Sequence, residues 1–296
     1  MVNFPWLTSI HQQLVNLVNA QHLHHALLIS GPDGVGKHVL ADQLANHLMC
    51  QQPTATGHCG VCKSCLLVNS GHHPDLQRVV AESSIGVDQI REISHFMQSA
   101  AQQGGARVVL IPHAEKMTEA AANALLKTLE EPGERCFLLL QTAHEDMLLP
   151  TIRSRCQRWV VSPQLNAPTQ QWLQAQSPQA VPAYLLDFCG GAPLKALELL
   201  HSGQVQQIDS LLASLTLYFN DGRELLALVK KLEAHSDVVS LLSWFVRQQC
   251  FLHNNPNQVA LLQRFAQWCR DEQLILGQNK NLALTTLMLD FYKLLH

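Results

Sequence analysis

Apolar residues in the first half of the chain come in short unbroken runs, whereas in the last third they recur three and four positions apart. The two patterns predict two kinds of structure. His25 to Ser30 (HALLIS), Arg107 to Ile111 (RVVLI) and Phe137 to Thr142 (FLLLQT) show no polar alternation, as strands buried on both faces do. Trp159 to Val161 ends a further strand, and Leu76 to Val80 supplies a fifth. Between them lie helical spacings: Val39, Leu40, Leu44 and Leu48 after the first strand, and Leu125, Leu126 and Leu129 within Thr118 to Glu131. Thr118 is the expected N-cap of that second helix and Pro132 its stop. Strands alternating with helices imply an α/β domain with a parallel sheet covered on both faces.

Past residue 162 the composition shifts. Pro163, Pro168, Pro178 and Pro182 stand among glutamines, which suits a hinge and the opening of a small helical domain. From Gly203 onward the pattern is all helical. Leu225, Leu226, Val229 and Leu232 form one stripe, Val239, Leu242, Trp244 and Phe245 a second, and Leu261, Leu262, Phe265 and Trp268 a third. Most of these are expected in a core, and Asn254 to Asn257 (NNPN) breaks two helices apart. The expected divisions are 1–162, 163–202 and 203–296.

Composition narrows the partners. The 296 residues are 47% hydrophobic and 15% charged, a compact soluble class, and no apolar run approaches the ~20 residues of a membrane span. A cytoplasmic location is expected. The net charge of −3 argues against a protein that grips nucleic acid alone, which usually carries a basic excess. Contact with DNA is therefore expected to be shared with partners.

The chemistry begins at Gly31-Pro-Asp-Gly-Val-Gly-Lys37, placed between the first strand and the first helical stripe. In such a phosphate loop, Gly31, Gly34 and Gly36 let backbone N–H groups converge on phosphate oxygens, and Lys37 supplies charge for the outer phosphates. The next residue should carry a hydroxyl for magnesium, yet it is His38, and imidazole is a poor ligand for a hard oxygen-seeking ion. The strand at 107–111 should be followed by an acidic pair. Pro112 and His113 stand there instead, with Glu115 two residues further on. Both losses point to a fold kept and hydrolysis discarded, while ATP or ADP binding is left open.

Cys50, Cys59, Cys62 and Cys65 follow a C-x8-C-x2-C-x2-C pattern that starts thirteen residues after Lys37. Two x2 spacings let neighbouring thiolates turn back on one ion, and four cysteines leave no open position for water, so a structural zinc is expected. Cys136, Cys156, Cys189, Cys250 and Cys269 are scattered singly among apolar residues. With nine cysteines and no signal peptide at the start, disulfides are not expected.

Ala121-Asn-Ala-Leu-Leu-Lys-Thr-Leu-Glu-Glu-Pro132, Thr151-Ile-Arg-Ser-Arg-Cys156, His73-Pro-Asp75 and the cysteine module together resemble bacterial clamp-loader subunits of the AAA+ superfamily. The resemblance spans about residues 1 to 200. It implies an AAA+ P-loop domain with a zinc module, a small helical lid, and a C-terminal all-helical collar that joins five subunits. Phe4-Pro-Trp-Leu7 and Leu28-Ile-Ser30 are similar to members that hydrolyse no ATP. By the same resemblance, Arg155 is an arginine finger reaching the ATP of the next subunit, and Thr142 falls where a polar residue senses the outer phosphate. The slot of a nucleotide-sensing arginine holds Leu194, with Lys195 expected to be solvated. The implied neighbours are a gamma/tau and a delta clamp-loader subunit, with the sliding clamp and primed DNA met through the complex of the DNA polymerase III holoenzyme. Two other readings are an active gamma/tau-type ATPase using Glu115, and a stand-alone zinc-dependent DNA-binding protein.

Overall fold

The structure, a computed structural model, describes residues 4–80, 83–252, 256–274, 277 and 279–296. Five parallel strands form one sheet in the order β2-β3-β4-β1-β5. They are β1 (Ala26–Ser30), β2 (Leu76–Arg78), β3 (Arg107–Ile111), β4 (Cys136–Thr142) and β5 (Gln157–Val160). Every residue of β1 and of β3 is buried, which is why neither run alternates in polarity. β1 lies inside the sheet between β4 and the edge strand β5, with Ser30 opposite Thr142 of β4 and Val160 of β5.

The strands are linked by α1 (Thr8–Asn19), α2 (Lys37–Met49), α3 (Lys63–Asn69), α4 (Val87–Gln98), α5 (Glu119–Glu130) and α6 (Pro150–Arg153). α5 starts where expected, because the Thr118 side chain accepts from the Ala121 N–H at 3.2 Å. Its buried residues Ala121, Leu125 and Leu129 meet Ile90, Ile93 and Met97 of α4 over Val109 and Leu138 of the sheet. A fully buried Leu or Ile contributes about 1.5–3 kcal/mol, so Leu125→Asp in this layer would unseat both helices.

A buried charge pair holds the sheet edge. Asp75 (0% exposed) and Arg107 (4%) approach to 3.8 Å. The Asp75 carboxylate accepts the N–H groups of Gln102 and Gln103 at 2.8 Å each, and Arg107 donates to the Phe96 and Ala100 carbonyls and the Ser99 hydroxyl. Buried charges persist only when neutralised in this way.

By compactness the chain divides into Met1–Leu197 and Glu198–His296. α7 (Ala167–Ala175), α8 (Leu185–Phe188) and the start of α9 (Pro193–His201) lie in the first unit. The second holds α10 (Gln204–Asp221), α11 (Leu225–Ala234), α12 (Val238–Leu252), α13 (Gln258–Leu274) and α14 (Lys280–Leu295). Its core includes Val229, Leu232, Leu242, Phe245, Leu261, Trp268, Met288 and Phe291. Three stripe residues expected inside are outside: Leu226, Val239 and Leu262. Val239 and Leu262 each follow a buried residue, Val238 and Leu261, and Leu226 follows the half-buried Leu225; one step around a helix is ~100°, enough to leave the core face. Asn254 and Asn255 lie outside the described residues; α12 ends before them and α13 begins after them. Among the described residues, no helix is long and apolar enough to cross a membrane.

Candidate functional site

β1 delivers the phosphate loop at its C-terminal end, and α2 leaves from it at Lys37. Gly31, Gly34 and Gly36 all have positive φ, so the loop takes the turn its glycines allow. The structure brings the loop beside Thr142: the Gly31 N–H donates to the Thr142 carbonyl at 3.2 Å. The Thr142 hydroxyl is buried and accepts from the His144 N–H at 3.0 Å. His38 lies on the first turn of α2 and is exposed.

Lys37 turns back on its own loop. Its Nζ donates to the carbonyls of Gly31 at 2.7 Å and Pro32 at 2.9 Å, and to Asp33 Oδ1 at 3.0 Å. Partial burial raises the Asp33 pKa, but Lys37, His113 and His144 outweigh it and hold the carboxyl below the usual range. His113 thus stands where an ATPase places acid, with its Nδ1 3.4 Å from Glu115 Oε1. Glu115 is nearly buried and its Oε2 has no hydrogen-bond partner. A hydroxyl-free loop faced by imidazoles does not fit a magnesium-bound nucleotide.

Two contacts near the loop escaped the sequence reading. The Leu194 N–H at the start of α9 donates to the Gly34 carbonyl at 2.9 Å. A Cβ on Gly34 would meet Lys195 at 2.7 Å from its Cβ and 2.8 Å from its N. Lys195 is half-buried, with its backbone and Cβ packed on the loop. Trp6 completes the arrangement by donating its indole N–H to the Val35 carbonyl at 2.8 Å. Its ring packs edge-on against Trp172 of α7 at 4.8 Å. The i, i+4 spacing of Asp33 and Lys37 was a visible signal for their pair; the α9 contact has none, since it joins segments 160 residues apart.

Arg155 lies just after α6 and is half-buried. Its guanidinium is bonded to Glu130 at the end of α5, with Nε to Oε1 at 2.8 Å. Of its neighbours, Arg158 pairs with Glu145 at 2.6 Å, and Arg153 has a buried Nε without a hydrogen-bond partner.

The four cysteines converge between α2 and α3. Their sulfurs all lie within 4.8 Å of one another, with Cys50–Cys62 and Cys59–Cys65 at 3.9 Å. Four thiolates at the usual zinc–sulfur distance of about 2.3 Å stand about 3.8 Å apart, so the set fits one tetrahedral ion. Backbone N–H groups of Cys59, Cys62 and Cys65 point at the sulfurs of Cys50, Cys59 and Cys62, at 3.3, 3.3 and 3.5 Å. Such bonds favour thiolate. Burial pushes the Cys62 thiol up, yet N–H donors of Cys65 and Gln51 and nearby thiols overcome it and bring the pKa to about 6. Burial and the Cys62 thiol push Cys65 up to about 12. A divalent cation would relieve that conflict.

His73-Pro-Asp75 anchors this module. The Asp75 N–H donates to His73 Nδ1 at 3.1 Å, so the imidazole carries its proton on Nε2 and donates to Ser64 Oγ at 2.7 Å. Ser64 in turn donates to the Met49 carbonyl at 2.7 Å. The start of α3 is thereby tied to the end of α2 and the edge of the sheet.

A parallel sheet of order β2-β3-β4-β1-β5, with a phosphate loop after the interior strand β1 and lid helices lying on that loop, defines a P-loop protein of the AAA+ type. A gamma subunit-related DNA polymerase III protein of Thermotoga maritima shares the fold, with a TM-score of 0.55 and 20% identity over 96% of this chain and 100% of that one. The family described as "DNA polymerase III, delta subunit" matches residues 6–164. DNA polymerase III subunit delta' of Yersinia pestis is 40% identical over 252 residues, 81% of this chain and 73% of that protein. The Haemophilus influenzae subunit delta' is 36% identical over 93% of this chain and 86% of its own length. Subunit tau of Escherichia coli is 38% identical over 48% of this chain and 22% of tau. The chain belongs to the DNA polymerase III subunit delta' family.

Proposed function

We propose that the chain is the stator subunit of the bacterial clamp loader, helping to place the sliding clamp on primed DNA without hydrolysing ATP itself. The observation that carries this reading is a division of chemistry. The chain's own site has His38 after the loop and His113 after β3 where magnesium chemistry needs a hydroxyl and acid, while Arg155, partly exposed, offers a charge for another subunit's ATP. In this reading the chain packs between a gamma/tau subunit and the delta subunit in the cytoplasm. Residues 1–162 form the AAA+ domain, 163–202 the lid and 203–296 the collar. Zinc on Cys50, Cys59, Cys62 and Cys65 braces the module, and Gly31, Gly34, Gly36, Lys37, His38 and Thr142 are a retained nucleotide site without turnover. The gamma/tau-type alternative is disfavoured by the same two histidines.

The test is clamp- and primed-DNA-stimulated ATP turnover by a loader reconstituted with the native chain or with Arg155→Ala, assembly being checked by gel filtration. The expected result is intact assembly with turnover reduced by about 10³-fold or more, the scale of a lost arginine finger. Unchanged turnover would leave the chain a scaffold only, and turnover by the isolated chain would restore the ATPase alternative.

A further inference from the structure

We propose that Glu130 is a positioning residue that presents the Arg155 guanidinium to the neighbour's phosphate, an inference that rests on the reading of Arg155 as a finger. A guanidinium has five N–H donors in a fixed plane. In Arg155, Nε donates to Glu130 Oε1 at 2.8 Å and Nη2 lies 2.5 Å from the same oxygen. Nη1 donates to the Thr151 carbonyl at 3.2 Å. Three donors are thus engaged and two are left to face a phosphate.

The two anchors come from different elements, so they fix the plane as well as the position of the group. Glu130 closes α5. The preceding residues Thr128 and Leu129 are buried, and Thr128 is hydrogen-bonded to Ser94 of α4 at 2.7 Å. Thr151 lies in α6. A cation held this way needs no reorganisation when charge builds on the transferred phosphoryl group, and that saving appears in the chemical step more than in binding. The pair is not a buried strut: the Arg155 and Glu130 side chains are 36% and 52% exposed, and exposed ion pairs contribute little to folding. Glu130 can therefore be changed without unfolding the chain.

The experiment uses the reconstituted clamp loader with the full chain, measuring kcat and KM for ATP with clamp and primed DNA. Variants are Glu130→Ala, Glu130→Gln, Arg155→Ala and the Glu130→Ala/Arg155→Ala double. Glu130→Ala is expected to lower kcat by about ten- to a hundredfold, up to the scale of a group misplaced by about 1 Å, with KM and gel-filtration elution unchanged. Glu130→Gln, which keeps an acceptor and loses the charge, is expected to lose less. In the Arg155→Ala background the Glu130→Ala change is expected to have no further effect. A normal kcat for Glu130→Ala beside a crippled Arg155→Ala overturns the positioning role and leaves the finger standing. An equal loss in both backgrounds shows Glu130 acting elsewhere and also overturns it. If Arg155→Ala itself turns over normally, the finger reading fails and this inference goes with it.

Discussion

Lys37 and Asp33 form an ion pair across the phosphate loop, Nζ to Oδ1 at 3.0 Å, so the lysine that would meet a phosphate already meets a carboxylate. Asp33 competes with nucleotide for the same cation and adds negative charge where phosphate would lie. Asp33→Ala is expected to tighten ATP binding by the isolated chain about two- to fivefold, the equivalent of the ~0.5–1 kcal/mol of an ion pair whose carboxylate is exposed to solvent. Equilibrium binding of a labelled ATP analogue measures it. Adding Lys37→Ala should erase the gain, and a gain that survives would place the nucleotide elsewhere.

The cysteine cluster is expected to carry about one zinc per chain, read by native mass spectrometry, and to give thiolate-to-cobalt charge-transfer bands after exchange. Uptake displaces thiol protons, so affinity should fall steadily as pH drops, from above neutrality because Cys65 keeps its proton up to about 12, and more steeply below about 6, where Cys62 is protonated as well. Cys59→Ser or chelation should speed hydrogen exchange over residues 50–72 while leaving β3 protected. Loss of protection in β3 as well would mean that the module supports the whole sheet.

Gly34→Ala should destabilise the first unit by about 1–3 kcal/mol in urea unfolding, from backbone strain and the collision with Lys195 together. Gly71→Ala is the control. Its φ of 76° is close to the 79° of Gly34, but nothing lies within 4 Å of an added Cβ, so only the strain remains, about 1 kcal/mol. Equal costs for the two would mean that α9 yields freely.

Stability should decline in mild acid. Burial lowers the pKa of His25, His47 and His73 below 6.5, opposed in His25 by the Leu129 carbonyl, in His47 by a backbone contact at Gly57 and in His73 by Asp75. Above pH 6.5 these groups are neutral in both folded and unfolded chains, and stability is at its full value. As pH falls from 6.5 towards the folded values, the unfolded chain takes up protons first. Each such histidine then costs about 1.4 kcal/mol per pH unit. Urea titrations at pH 7.5 and 5.5 measure the loss. His25→Asn should flatten the slope, and an unchanged slope would assign the loss to other groups.

The sheet was readable because its inner strands β1, β3 and β4 are almost wholly buried, and an unbroken run such as RVVLI suits a strand covered on both faces. The four cysteines were readable because ligand spacing is local. Arg155 could be singled out by its surrounding letters, but its tie to Glu130 could not, since it joins the end of one helix to a turn 25 residues away. The α9 contact with Gly34 was hidden for the same reason, and it sets the backbone of Lys195 against the loop. On the helical unit, the spacing of three and four located the helices while leaving their rotation ambiguous by one residue. Leu226 and Leu262 went astray there.

Gly34 has an evolutionary corollary. The space at its Cα is limited by a helix backbone rather than by a phosphate, so the glycine has a reason to persist whether or not the loop supports turnover. A loss of activity would not by itself erode the letters of the motif, because drift at that position is checked by folding alone. A search that counts glycines and a lysine would score such a chain as an ATPase indefinitely. The informative letters are those with no second duty, such as the histidine at position 38.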